Sequence, residues 1–350
     1  MKNILFIGSE SYDAPTITVI EGLHKLGWSI YTIDKPNINS WFCNTVVSRH
    51  SSLPDFNFVL SNLHWGTRWG LYNDLGLSSN LKVLIDGDDN PNIGCWRDKY
   101  NWHCSRYKLD PPDYIKNEVL APFRWMERMD NYKPDIVFCS QKNFDDTEST
   151  YLPFGIHDQY YQITPSIKKE YLFTHFPGPG KYRQYTKNIF EVLKYSYLVN
   201  AKIWNTVSRG KEIINQKIKY FIENDQNIHS WHRWVMHQEY FDKLSKTKIL
   251  IYPGVDMYPF WDSKRPWEAI ACGAAVLMRN PTIETKEYSI CDIDRDFVYA
   301  SEWELIKKIS YFKNLNNLDE KIYNFVYTAR NKFSSIEIAK YFLKKIGQCI

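Results

Sequence analysis

The sequence predicts an α/β protein made of two doubly wound domains, and three observations carry that prediction. An apolar strand, an amphipathic helix and a second strand succeed one another within the first 33 residues. A break at 151–155, Tyr-Leu-Pro-Phe-Gly, is followed by the same order of strand, loop and helix. The 350 residues suffice for two cores of ordinary domain size, roughly 100 to 150 residues each.

Residues 3–8, Asn-Ile-Leu-Phe-Ile-Gly, form the continuous apolar run of a parallel strand covered on both faces. Ile17, Ile20, Leu23 and Leu26 then recur at helical spacing over 14–27, where Gly27 ends the helix. Residues 28–33 return as a strand, completing a βαβ unit. Further strands are expected at 56–61, 81–85 and 135–139, whereas 86–125, rich in Asp, Pro, Trp and Tyr, shows no regular period. Beyond the break, 171–176 reads as a strand, 177–180 as a loop and 188–197 as a helix. A strand at 248–252, a helix at 266–272, a short strand at 275–278 and an amphipathic helix at 336–346 follow.

Composition narrows the function classes. No apolar run approaches the ~20 residues of a membrane-spanning helix, and the apolar start is too short for a signal peptide. Seven scattered cysteines without a CxxC pair fit a reducing, cytoplasmic setting and argue against structural zinc. The net charge of +4 is unevenly placed: residues 1–155 carry 15 basic and 19 acidic side chains, residues 156–350 carry 29 and 21. The second half therefore suits a diphosphate, and the acidic first half disfavours a nucleic-acid footprint there.

The most informative segment is Lys-Ile-Leu-Ile-Tyr-Pro-Gly at 248–254, followed by Asp-Ser-Lys-Arg-Pro-Trp-Glu-Ala-Ile-Ala-Cys-Gly at 262–273. A strand ends at Gly254, a helix opens beside Pro266, and Gly273 stops it. Helix-start amides with Lys264 and Arg265 beside them make an anion site. Glu268, one turn further in, is placed to accept hydrogen bonds from the vicinal hydroxyls of a ribose. The competing reading makes Glu268 a helix cap and Arg265 half of a surface ion pair. Pro-Gly-Pro-Gly at 177–180, with Gly178, Lys181 and Arg183, is a second phosphate candidate, and a rigid surface turn explains it equally well.

The Arg-x-x-Glu-Ala-x-Ala-Cys-Gly pattern beginning at Arg265 resembles the donor-site signature of GT-B glycosyltransferases, most closely the CgeB-like group. The Arg-x-Trp-Glu element is also similar to one in the phage DNA β-glucosyltransferases. The resemblance spans roughly 150–330, and the first half matches only in general architecture. It implies two Rossmann-like doubly wound domains facing a cleft: an acceptor-side domain at 1–153, a nucleotide-sugar domain at 154–332, and a helix at 333–350 packing back on the first. It implies that Arg265 binds the diphosphate and Glu268 the ribose of a nucleoside-diphosphate sugar, a UDP-sugar being the expected donor.

In that frame the first half should supply the acceptor side. Asp13 ends the Gly-Ser-Glu-Ser-Tyr-Asp loop after the first strand, where a doubly wound sheet places ligands, and is a candidate base or a turn former. The glycine spacing there fails the dinucleotide fingerprint. Asp86-Gly-Asp88-Asp89 crowds three carboxylates at one strand end, making Asp88 and Asp89 the leading base candidates. No cofactor is required by this reading and no metal site is assigned, although the same cluster would suit Mg²⁺ or Mn²⁺, as in GT-A enzymes. An acidic turn around Asn90 and Pro91 is its structural alternative. Trp65, Trp69 and Trp96, interleaved with basic residues, are candidates to stack on an acceptor. Three histidines at 229, 232 and 237 lack a completing ligand. The rival readings are a DNA-modifying glycosyltransferase acting on a hydroxymethylated base, a non-catalytic sugar-nucleotide-binding protein and, more weakly, a sugar-nucleotide epimerase.

Overall fold

Two parallel sheets organise the chain in a computed structural model that describes residues 2–7, 14–33, 45–47, 54–62, 80–86, 134–142, 149–157, 166, 168–176, 201–203, 238–254, 260–280 and 289–348. The first sheet belongs to a unit formed by Met1–Leu152, Met257–Pro259 and Ala339–Ile350, the second to a unit formed by Pro153–Asp256 and Phe260–Ile338.

In the first unit β1 (Asn3–Ile7), α1 (Ala14–Lys25) and β2 (Ser29–Ile33) form the βαβ start, followed by β3 (Thr45–Val47), β4 (Phe58–Asn62), β5 (Lys82–Asp86), β6 (Ile136–Cys139) and β7 (Thr150–Tyr151). The strand order is β3-β2-β1-β4-β5-β6-β7, parallel throughout, with Leu5 in register with Tyr31 on one side and Val59 on the other. The order reverses between β1 and β4, the switch point of a doubly wound sheet. Burial explains the unbroken apolar runs: Ile4, Leu5, Val59, Leu60, Leu84 and Ile85 are fully enclosed. The C-terminal segment closes this core, where the Phe342 ring lies 5.8 Å from Phe58 and 4.9 Å from Phe138.

The second unit contains β8 (Tyr171–His175), β9 (Ala201–Ile203), α2 (Gln238–Ser245), β10 (Thr247–Tyr252), α3 (Lys264–Ala271), β11 (Ala275–Arg279) and β12 (Val298–Tyr299). The helices α4 (Glu302–Asn314), α5 (Leu318–Lys332) and α6 (Ser335–Lys345) follow, α6 crossing into the first unit from Ala339. The strand order is β9-β8-β10-β11-β12, again parallel, and Leu250 is in register with Thr174 and Val276. Here the switch point lies between β8 and β10. Trp267 and residues 269–272 of the α3 segment are fully buried, and the Trp267 indole meets Phe333 at 5.0 Å. The α3 helix starts two residues earlier than the sequence suggests, at Lys264 rather than Pro266, so Pro266 occupies its third position, where its φ is compatible with a first turn. It ends as expected at Gly273, whose φ of +73° and amide bond to the Ile270 carbonyl, with Ala274 bonded back to Ala269, form a Schellman closure.

Among the described residues no helix is long and apolar enough to cross a membrane, and no group of three or more metal-ligating side chains occurs.

Candidate functional site

The second unit places its sequence-predicted residues at the carboxyl end of its sheet. Strand β10 ends at Tyr252, and Pro253 and Gly254 follow, Gly254 adopting φ +73°, a left-handed conformation that a side chain would strain. Asp262 and Ser263 then lead into α3, so Lys264 and Arg265 occupy its first turn and Glu268 the next. Tyr252 and Asp262 build the start of this helix. The Tyr252 hydroxyl donates to Ser263 Oγ at 2.7 Å, and Ser263 makes no side-chain cap to the first-turn amides. Among the described residues, buried Asp262 accepts from the Ser263 amide (2.8 Å) and Trp267 Nε1 (2.8 Å) on Oδ1, and from the Phe154 amide (3.1 Å) on Oδ2. The chain at 153–157 is thereby tied to the same helix start, and the Ile156 amide donates at 2.9 Å to the carbonyl of Phe333, whose ring packs on Trp267 of α3.

Glu268 is fully buried, and its Oε2 accepts the Tyr240 hydroxyl at 2.8 Å. The Tyr240 ring packs edge-on against Phe176, the residue after β8, and against Phe241, each at 4.9 Å. His175 at the end of β8 turns Nδ1 to the Ile251 carbonyl at 3.1 Å, so that nitrogen carries the ring proton. Residues from both strands flanking the switch point thus converge on the first turns of α2 and α3. Arg265 is half-buried, and its side chain makes no hydrogen bond or ion pair with the described residues. A helix start with cations and an inner carboxylate offers an anion-binding edge beside a hydrogen-bond acceptor.

At the far ends of these helices the chemistry is structural. Lys169 Nζ donates to the Ser245 carbonyl at 2.7 Å and to the Cys272 carbonyl at 3.0 Å, closing α2 and α3 together, and burial lowers its pKa to about 8. Arg330 donates to the Ile270 and Ala271 carbonyls. Burial pushes the Cys272 thiol far up and the Cys291 thiol up to about 12, so neither is a nucleophile.

Of the donor-side residues singled out in the sequence, Lys264, Arg265 and Glu268 share α3, and Gly254 lies two residues beyond the end of β10. Gly178, Lys181 and Arg183 lie outside the described residues, as do Asp13, Asp88, Asp89, Trp65, Trp69 and Trp96; Asp86 is the last residue of β5. Sequence reasoning missed Tyr240 and Asp262. Asp262 had a signal, an Asp directly before a Ser N-cap, whereas Tyr240 reaches Glu268 across 28 positions from a helix the sequence pattern did not reveal.

No protein-family model matches the chain, and no curated protein matches it in sequence; the CgeB-like resemblance therefore rests on the sequence pattern. Solved structures do match. Sucrose-phosphate synthase from Thermosynechococcus elongatus superposes with a TM-score of 0.53 at 11% identity, covering 99% of this chain and 98% of that one. HepE of Anabaena in complex with UDP gives 0.50 at 8% identity, covering 99% and 100%. These likenesses show the fold, two doubly wound α/β domains in the GT-B manner.

Proposed function

We propose that this chain transfers a sugar from a nucleoside diphosphate to a hydroxyl of an acceptor, with UDP-sugars as the donors. The observation that carries the reading is the Glu268 carboxylate, buried one turn inside a helix that opens with Lys264 and Arg265 at the switch point of the second sheet. In this reading Glu268 accepts the ribose hydroxyls. Arg265, Lys264 and the α3 amides neutralise the diphosphate as it leaves, and the left-handed Gly254 lets the backbone approach it. Gly178, Lys181 and Arg183 are assigned to the same phosphates. HepE, of the same fold, was solved with UDP bound, which agrees with a uridine donor.

Acceptance of the acceptor's proton is assigned to the first unit, to Asp88 or Asp89 just past β5 or to Asp13 just before α1. Trp65, Trp69 and Trp96 are assigned to acceptor contact. The reading calls for no metal; a divalent cation at Asp86 and Asp88 is its alternative.

The test is UDP titration by calorimetry against Glu268→Gln, which keeps shape and removes charge. Removing a charged hydrogen-bond acceptor costs roughly 1.5 to 3 kcal/mol, so affinity falls about tenfold to a hundredfold. Equal UDP affinity in a folded Glu268→Gln protein refutes the proposal.

A further inference from the structure

Resting on the donor-site reading above, the geometry points to Tyr240 as the positioning residue that sets how this site recognises a ribose diol. Helix α2 is joined to β10 by Lys246 alone, so it runs back against the strand and its first turn, with Tyr240 third in the helix, faces the carboxyl end of the sheet. Helix α3 begins after that same end. Two helices from different stretches of chain thus bring their starts together, and the 2.8 Å bond from the Tyr240 hydroxyl to Glu268 Oε2 joins them.

A carboxylate on a two-torsion stem can rotate, and a vicinal diol is bound by both its hydroxyls only when the carboxylate plane is held. Tyr240 supplies that restraint. Its ring is itself fixed by edge contacts to Phe176 and Phe241, so the hydroxyl has one place to donate from. Phe176 directly follows β8, and this aromatic pair therefore couples the end of one switch-point strand to the acceptor carboxylate on the other side. The ligand class so selected is a ribonucleotide, discriminated from a deoxyribonucleotide by the second hydroxyl. A site that presents a fixed hydrogen-bonding group loses most when the ligand lacks its partner.

The experiment titrates the full chain with UDP and with 2′-deoxy-UDP, in wild type, Tyr240→Phe and Glu268→Gln. Tyr240→Phe removes one oxygen and keeps both ring contacts, and its melting temperature and near-ultraviolet circular dichroism verify the fold. Wild type is expected to prefer UDP, and Tyr240→Phe to lose about tenfold in UDP affinity, the worth of one hydrogen bond, while binding of 2′-deoxy-UDP changes little. If Tyr240→Phe weakens both nucleotides equally, or neither, while Glu268→Gln abolishes the preference, the positioning role is wrong and the donor site stands. If wild type shows no preference, or Glu268→Gln keeps it, the assignment of Glu268 to ribose fails and the role of Tyr240 falls with it.

Discussion

Replacing Asp262 should separate the architecture of the α3 start from its ligand chemistry. The side chain is wholly buried, and among the described residues its two oxygens divide three donors: Oδ1 takes the Ser263 amide and Trp267 Nε1, Oδ2 the Phe154 amide. In Asp262→Ala all three lose their acceptor. The Ser263 amide borders solvent and can be rehydrated, but Phe154 and Trp267 are buried, and each stranded donor costs roughly 1 to 3 kcal/mol. Relief from burying a carboxylate offsets part of this. The expected loss is about 3 kcal/mol. Asp262→Asn should cost less, about 1.5 kcal/mol: its amide oxygen can occupy the Oδ1 place and keep two bonds, while its amide nitrogen faces the Phe154 N–H. Urea unfolding gives the stabilities, and hydrogen exchange over 153–157 and 262–271 localises the effect. An Ala variant within 0.5 kcal/mol of wild type, an Asn variant worse than Ala, or unaltered protection at Phe154 refutes the reasoning.

Two further outcomes follow. One of Asp13→Asn, Asp88→Asn and Asp89→Asn should lower turnover by roughly 10² to 10⁴ with UDP binding intact, since Asn keeps shape and removes proton acceptance; near-normal turnover in all three misplaces the base. For Lys169, burial lowers the folded pKa to about 8 from the ordinary 10.5, so the folded state releases its proton first and stability rises with pH between about 8 and 10.5. Relative to Lys169→Gln, the wild-type urea midpoint should therefore climb across that window by the equivalent of about 1 to 2 kcal/mol, partial exposure trimming the effect, and a constant difference contradicts it.

The parallel strands were legible because burial on both faces leaves an uninterrupted apolar run, as in Ile4 to Phe6 and Ile249 to Ile251. The helices α4 and α5 were not, although they are the two longest among the described residues. Their inner faces obey helical spacing, with Leu305, Ile309 and Phe312 buried on α4 and Ile322, Phe325 and Ala329 on α5. Their outer faces carry Trp303 at 65% exposure and Tyr323 at 65%, so the contrast between faces that a periodicity search needs is lost. A second signal did exist for α4: Ser301 accepts from the Glu304 amide at 3.2 Å while the Glu304 carboxylate accepts from the Ala300 amide at 2.7 Å, a near relative of the capping box written as Ser-Glu-Trp-Glu. In the site, α3 could be read because Gly254, Pro266 and Gly273 punctuate it. Tyr240 could not, because a contact between two helices has no local spacing.

At 8 and 11% identity, the likeness to HepE and sucrose-phosphate synthase is a likeness of chain path. A parallel sheet needs only that its strands be apolar and its connections cross back over a face, and very many sequences satisfy that. The path nonetheless fixes where a ligand can go. With order β9-β8-β10-β11-β12, the connections leave β8 and β10 in opposite directions, and the crevice between their carboxyl ends exists before any side chain is chosen. The fold therefore says where to look, and the residues there must say what binds. Phe176, Tyr240, Glu268 and Arg265 occupy that end of the second sheet, an aromatic pair, a held carboxylate and a cation. In the proposed reading the carboxylate takes the diol, the cation takes the anion and the aromatic pair holds the carboxylate, so the ribonucleoside diphosphate proposal depends on these four side chains.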